Sequence, residues 1–261
     1  MPFTVSHVAA VLPLRRWLRP EAVLPAAVIG AMVPDFGLFV PFWIPRSATH
    51  GWLALLSFCL PVGLTAWLLF ELLLRPALLE VAPDAWWQQG RARSALPLRA
   101  ARTWIGAGIA VLAGALTHLA WDAFTHEGAP GVEMLPLLDR LAWQVNGHPM
   151  ALFRMLQHLS SIGGLALVLW VLWRWHCGLA RPPGGLPRRL AVRERAAWIG
   201  VYLGIPAVAT LFAAIQTLHR GEAFYSSSAS LARVAEAGMG ATAAALVLVS
   251  ALVRLRARNP R

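Results

Sequence analysis

The chain has 261 residues and a net charge of +11, with 58% hydrophobic and 13% charged residues. A soluble domain carries about 25% charged residues, so a chain of mean hydropathy +0.59 lacks the polar groups to cover its apolar surface, and this excludes an ordinary soluble domain. All 23 basic residues are arginines in short loops between apolar runs, a distribution that reads as membrane topology rather than nucleic-acid binding.

In chain order, residues 3–18 read as a short amphipathic helix, with Thr4 or Ser6 as N-cap and Arg15 and Arg16 near its end. Residues 21–44 are apolar but broken by Pro25, Pro34-Asp35 and Pro41, so this segment either spans or re-enters. Five further runs, 52–74, 103–125, 155–176, 196–218 and 234–253, have the roughly 20 apolar residues a membrane span needs. The expected fold is therefore all-α: a polytopic membrane bundle of five or six transmembrane helices plus the N-terminal amphipathic one. Residues 1–180 form its motif-bearing membrane domain, 181–195 a Pro/Gly/Arg-rich loop, and 196–261 two helices and a basic tail. "SSSAS", 226–230, reads as a turn between the last two spans.

Arginine placement orients these spans. Loops 75–102 and 174–195 and the C-terminal tail are arginine-rich, whereas 126–154 and 219–233 each hold two arginines or fewer between their helices. By the positive-inside rule the first three are cytoplasmic, and six spans leave both termini inside a bacterial inner membrane. Trp52, Trp86, Trp87, Trp104, Trp143, Trp173, Trp175 and Trp198 fall near span ends, as an interfacial belt does. Cys59 and Cys177 have no CxxC partner and read as small apolar residues.

Against this background the ionisable residues stand out, because a charge in a span costs about 2.5–3.5 kcal/mol and needs a partner or a cavity. "THLAWDAFTH" places His118, Asp122 and His126 four residues apart on one helical face. Imidazole and carboxylate at that spacing suit zinc, and a hydrogen-bond ladder at a helix end is the alternative. Asp35 in "VPDFG" needs a compensating cation unless it caps a helix after Pro34. His50 in "RSATHGW" lies at the mouth of a span, His7 near the chain start, and His158 in "LQHLSS" early in another span. His148, His176 and His219 read as loop or interfacial residues, and Glu71 as the i,i+4 partner of Arg75.

The segments "MPFTVSHVAAVLPLRR", "VIGAMVPDFGLF", "THGWLALLSFCLPVGL", "GALTHLAWDAFTHEG" and "LFRMLQHLSSIGGLAL", in this order, resemble the bacterial membrane family called domain of unknown function 4184. The resemblance runs from residue 1 to about 170. More weakly the chain is similar to membrane-bound metal-dependent hydrolases, and distantly to the zinc phospholipase C and P1-type nuclease group. That likeness implies metal ligation by His7, Asp35, His50, His118 and Asp122, extended to His126 and His158, and hydrolysis of a phosphoester or a lipid.

The expected activity is a membrane-embedded, metal-dependent hydrolase, with Asp35 or Asp122 bridging metals or acting as base. Five or more N/O ligands exceed the four of one structural zinc, so the donor set leaves room for two divalent ions. Three other readings stay open: a haem protein with His118 and His158 as axial ligands, an ion or proton transporter, and a structural membrane protein without chemistry.

Overall fold

The computed structural model describes residues 4–16, 23–40, 44–92, 97–145, 148–180, 189–220 and 228–258. Pro41 lies outside these ranges, as do part of the arginine-rich 75–102 loop, most of the Pro/Gly/Arg-rich loop and the end of the basic tail. The described chain is an all-α membrane bundle with one small hairpin. In order it comprises α1 (Thr4–Leu14), α2 (Val23–Gly30), the 3-10 helix α3 (Val33–Phe39) and α4 (Ser47–His50). Then come α5 (Trp52–Val81), α6 (Asp84–Ala92), α7 (Ala101–Asp122) and α8 (Pro130–Met134). Strands β1 (Leu141–Val145) and β2 (His148–Ala151) follow, then α9 (Leu152–Cys177), α10 (Val192–His219) and α11 (Ser228–Arg258).

Five of these, α5, α7, α9, α10 and most of α11, are long and apolar enough to cross a bilayer. The apolar windows of α9 and α10 are only 11% and 0% buried within the protein, so their side chains face outward as lipid-facing helices do. The broken segment 21–44 forms no sixth span among the described residues. Eight residues of α-helix reach about 12 Å, and Pro34 sits where α2 gives way to the tighter α3. The span expected over 52–74 runs on to Val81, held past the expected end by the Glu71–Arg75 pair at 2.9 Å. Two widened turns, Leu55–Cys59 and Phe70–Leu74, precede Pro61 and Pro76. A proline lacks the N–H and crowds the carbonyl four residues back, and a wide turn relieves both.

Three further expectations are revised. The polar face of α1 is not on the surface: Thr4, Ser6 and His7 are buried, and neither hydroxyl caps the helix. Instead Thr4 Oγ1 donates to Asp35 Oδ2 at 2.8 Å and Ser6 Oγ to the Ser161 carbonyl at 2.7 Å. Ser228 already starts α11, so the serine run is a helix start where it is described. Residues 141–151 pair as an antiparallel hairpin with a bulge between Leu141 and Trp143. Asn146 and Gly147, between these strands in sequence, lie outside the described residues. Of the tryptophans expected near span ends, Trp52, Trp104, Trp143, Trp173 and Trp175 are exposed and Trp87 is buried. Both cysteines are free.

The contacts divide the chain into two compact units. One comprises Met1–Asp35, Pro45–Trp67 and Ala95–Gly178, the other Phe36–Ile44, Leu68–Ser94 and Leu179–Arg261. In the second, Ala77, Val81, Leu190, Ala245, Val249, Val253 and Ala257 form an apolar core flanked by Trp198 and Tyr202. Tyr202 and Ser250 share a 2.8 Å hydrogen bond there. The first unit carries the histidines and aspartates.

Candidate metal centre

Small residues bring the first unit's backbones close. A Cβ on Gly114 of α7 would collide with the Ala27 carbonyl oxygen, and one on Gly30 of α2 with the Val111 carbonyl. Only glycine permits that approach, the close crossing that small residues allow between membrane helices. On α9, a Cβ on Gly164 would sit 2.8 Å from the Ser6 carbonyl, so a third glycine lets α1 dock. These three contacts deliver His7, Asp35 and the α7 residues to one place.

There His7, Asp35, His118 and Asp122 are 0–5% exposed, with His50 beside them. His50 Nε2 lies 3.4 Å from Asp35 Oδ1 and 3.6 Å from Asp122 Oδ2. His118 Nε2 lies 3.6 Å from Asp35 Oδ1 and 3.5 Å from Asp122 Oδ2. His7 Nε2 lies 3.7 Å from Asp122 Oδ1, and its ring stacks on His118 with centroids 3.7 Å apart. Asp35 Oδ1, Asp122 Oδ1, both nitrogens of His7 and the Nε2 atoms of His50 and His118 have no hydrogen-bond partner among the described residues. Buried polar atoms are normally satisfied, and so many left without a partner around one cluster are not an ordinary core.

The surrounding bonds fix which nitrogens face inward. His118 Nδ1 donates to the Ala31 carbonyl at 2.8 Å, leaving a lone pair on Nε2. Thr49 Oγ1 gives its proton to the Arg46 carbonyl at 3.2 Å, so at 2.7 Å it accepts from His50 Nδ1, and His50 Nε2 is likewise bare. Orientation of one ring nitrogen by a backbone or side-chain acceptor is the arrangement of metal-ligating histidines. Burial, reinforced by His118, pushes the His7 imidazole down to about 4, so it is neutral at ordinary pH and holds a lone pair. Burial alone would raise the Asp35 carboxyl, but the His50 and His118 rings and the Thr4 hydroxyl outweigh it and hold Asp35 ionised.

Two groups meet the spatial demands of a cation: His7, Asp35 and His118, and His50, His118 and Asp122, with ligand atoms in each within 4.8 Å of one another. They share His118. Two buried carboxylates facing three imidazoles call for positive charge, which Arg46 supplies to Asp122 alone, and the donor set suits a metal ion.

The remaining expected ligands stand apart. His126 is anchored on both sides, its Nδ1 3.3 Å from the Asp122 carbonyl and its Nε2 3.2 Å from Gln157 Nε2. It borders the centre through Asp122, 3.5 Å away, without belonging to either group. His158 is exposed, and the position before it, Gln157, is the buried one. One residue is a rotation of about 100° on a helix, so His158 points away and forms no facing pair with His118 for a haem. Sequence reasoning missed Thr4, Thr49 and Gln157, which orient the cluster. It also missed Arg46, whose Nη2 lies 2.5 Å from Asp122 Oδ2. The signal for Arg46 was its i,i+4 spacing from His50 in "RSATH".

The family described as "Domain of unknown function (DUF4184)" matches residues 1–253, and the chain belongs to it. No curated protein and no solved structure is detectably similar to the chain.

Proposed function

We propose that this protein is a metal-dependent hydrolase of the bacterial inner membrane, acting on a phosphoester or a lipid-like ester. The observation that carries the proposal is the set of buried nitrogen and oxygen atoms without a hydrogen-bond partner among the described residues, paired at 3.4–3.7 Å: His7 Nε2 with Asp122 Oδ1, and His50 Nε2 and His118 Nε2 with Asp35 Oδ1. A tetrahedron of ligands about 2.0–2.1 Å from zinc has edges of about 3.3 Å, so little movement would bring these atoms to one ion. Mixed imidazole and carboxylate donors favour zinc among common cations. His7, Asp35, His50, His118 and Asp122 are one more than a single tetrahedral ion takes, and with His118 common to both groups they suit two adjacent ions.

A divalent ion, when bound, supplies Lewis acidity and lowers the pKa of a nearby water. The chain itself supplies orientation and proton handling. Asp35 is the deeper carboxylate, with Oδ2 taken by Thr4, and serves as a ligand. Asp122 lies beside the partly exposed Arg46 and keeps Oδ1 unbonded, which gives it a free oxygen to accept a proton from an attacking water. His126, held by Gln157 and the Asp122 carbonyl, is placed to steady that carboxylate.

The centre sits where α7 ends and where α5 and α9 begin. If the arginine-rich loops are cytoplasmic, this end faces the opposite side of the membrane. The deciding experiment is metal analysis of purified protein beside a His118→Ala/Asp122→Ala variant. The proposal expects near-stoichiometric zinc in the wild type and its loss in the variant. Equal, near-zero metal in both would sink it.

A further inference from the structure

Among the described residues, Arg46 is a charged side chain that joins this buried centre to the outside. It immediately precedes α4, and its carbonyl accepts from the Thr49 N–H at 3.0 Å and the His50 N–H at 2.8 Å. The same short turn thus fixes Arg46 and the candidate ligand His50 relative to each other. The Arg46 side chain is 42% exposed, against 6% for Asp122, whose Oδ2 it contacts through Nη2. A guanidinium carries five N–H donors in a planar fork. Among the described residues Asp122 is its sole side-chain partner, through Nη2, so most of the fork is uncommitted.

Arg–carboxylate pairs are frequently bidentate, which engages two donors of the fork. Arg46 reaches Asp122 through Nη2 alone and stays partly exposed. The next arginine at this end, Arg154, is turned to the exposed Glu127 at 3.4 Å. Arg46 is thus a partly exposed cation set directly against a carboxylate of the buried centre, where a group arriving from solvent meets its fork. Planar guanidinium recognises the oxygens of a phosphate two at a time, and a neutral ester offers it far less.

We propose that Arg46 is the anion-recognition residue of the centre, selecting a phosphate-bearing ester by binding its non-bridging oxygens at the mouth of the site. The inference rests on the metal-hydrolase reading and adds the charge of the substrate and the residue that reads it. The phosphate has two sources, a lipid headgroup or a soluble phosphoester. The mouth lies at the shared end of three membrane helices, and Trp52, Leu53, Met134 and Trp143 near that end are 67–85% exposed. A headgroup would thus be within reach, and the experiment includes both sources.

The experiment uses the full chain in lipid nanodiscs, loaded with zinc, as wild type, Arg46→Gln and Arg46→Lys. Zinc content is measured first and inorganic phosphate affinity second, by calorimetric titration. The expected result is unchanged zinc in all three, phosphate binding weakened about tenfold or more in R46Q, and an intermediate loss in R46K. Glycerol phosphate in solution and phosphatidic acid in the nanodisc are then tested as competitors. Competition by either supports the proposal and names the source, and competition by neither overturns it. Equal phosphate affinity in wild type and R46Q overturns it. So does loss of zinc from R46Q as complete as from the His118→Ala/Asp122→Ala variant, which would make Arg46 a support for the ligand carboxylate. A wild type that takes up no zinc removes the hydrolase reading itself, and this inference with it.

Discussion

His118 Nδ1 donates to the carbonyl of Ala31, a hydrogen bond of 2.8 Å across 87 positions of sequence. The bond exists because α2 and α7 touch backbone to backbone, and it turns the bare Nε2 towards Asp35 and Asp122. Gly114 is one turn before His118 on α7. Gly114→Ala should therefore push the helices apart and cost about 1–3 kcal/mol, as overpacked sites do. The centre should lose metal affinity even where the protein still folds. Thermal unfolding in detergent and zinc stoichiometry measure the two effects. Wild-type zinc binding in G114A would show that the close crossing does not set the centre.

The ligand set separates three histidines that share a sequence appearance. His158→Ala should leave zinc content unchanged, because its side chain is exposed. His126→Ala should weaken binding modestly, by about 10-fold, as loss of an outer supporting group does. His118→Ala should abolish it. Zinc titration against a competing chelator ranks them, and a His158→Ala variant as poor as His118→Ala would refute the placement. Gln157→Ala should resemble His126→Ala, since the two side chains hold each other at 3.2 Å.

This ranking marks how far the sequence reaches. Five long helices were legible because a span needs only length and hydropathy, and both are local. His7, Asp35, His50, His118 and Asp122 were legible because ionisable groups in apolar surroundings are costly wherever the chain goes. The choice between Gln157 and His158 was not, because it depends on the rotation of α9 against α1, which Gly164 and Ser161 set through Ser6. Thr4 read only as a helix cap and Thr49 as an ordinary polar residue until packing set them against Asp35 and His50. The hairpin was not read from the sequence, although Asn-Gly is a local turn signal that needs no packing to be seen.

Acid should destabilise the metal-free protein through His7. Its imidazole is held at about 4, below the ordinary 6.5, by burial and by His118, while Asp122 and Asp35 pull the other way and His126 adds a small lowering. Above pH 6.5 neither the folded nor the unfolded chain protonates His7, so it contributes no pH dependence. Between 6.5 and about 4 the unfolded chain takes up the proton and the folded chain does not, so stability falls with pH across this window. The unfolding midpoint of metal-free protein, followed from pH 7.5 to 5, should drop more steeply in wild type than in His7→Gln. Parallel profiles would show that His7 is not the neutral, buried ring described.

The far end of α9, where the arginine-rich 174–195 loop begins, and the candidate metal centre should lie on opposite sides of the membrane. Glu127, beyond α7 at the centre's end, is an exposed side chain, and Cys177, at the far end of α9, is an exposed native thiol. α9 begins beside the centre and spans 26 residues, about 39 Å, so these two positions report opposite faces. In intact cells carrying Glu127→Cys, a membrane-impermeant maleimide should label position 127 and spare Cys177, and broken cells should label both. The arginine count alone dictates this direction, with 75–102, 174–195 and the tail retained inside. Labelling of Cys177 alone in intact cells would invert the topology and put the centre in the cytoplasm, where soluble cytosolic phosphoesters would reach Arg46 directly.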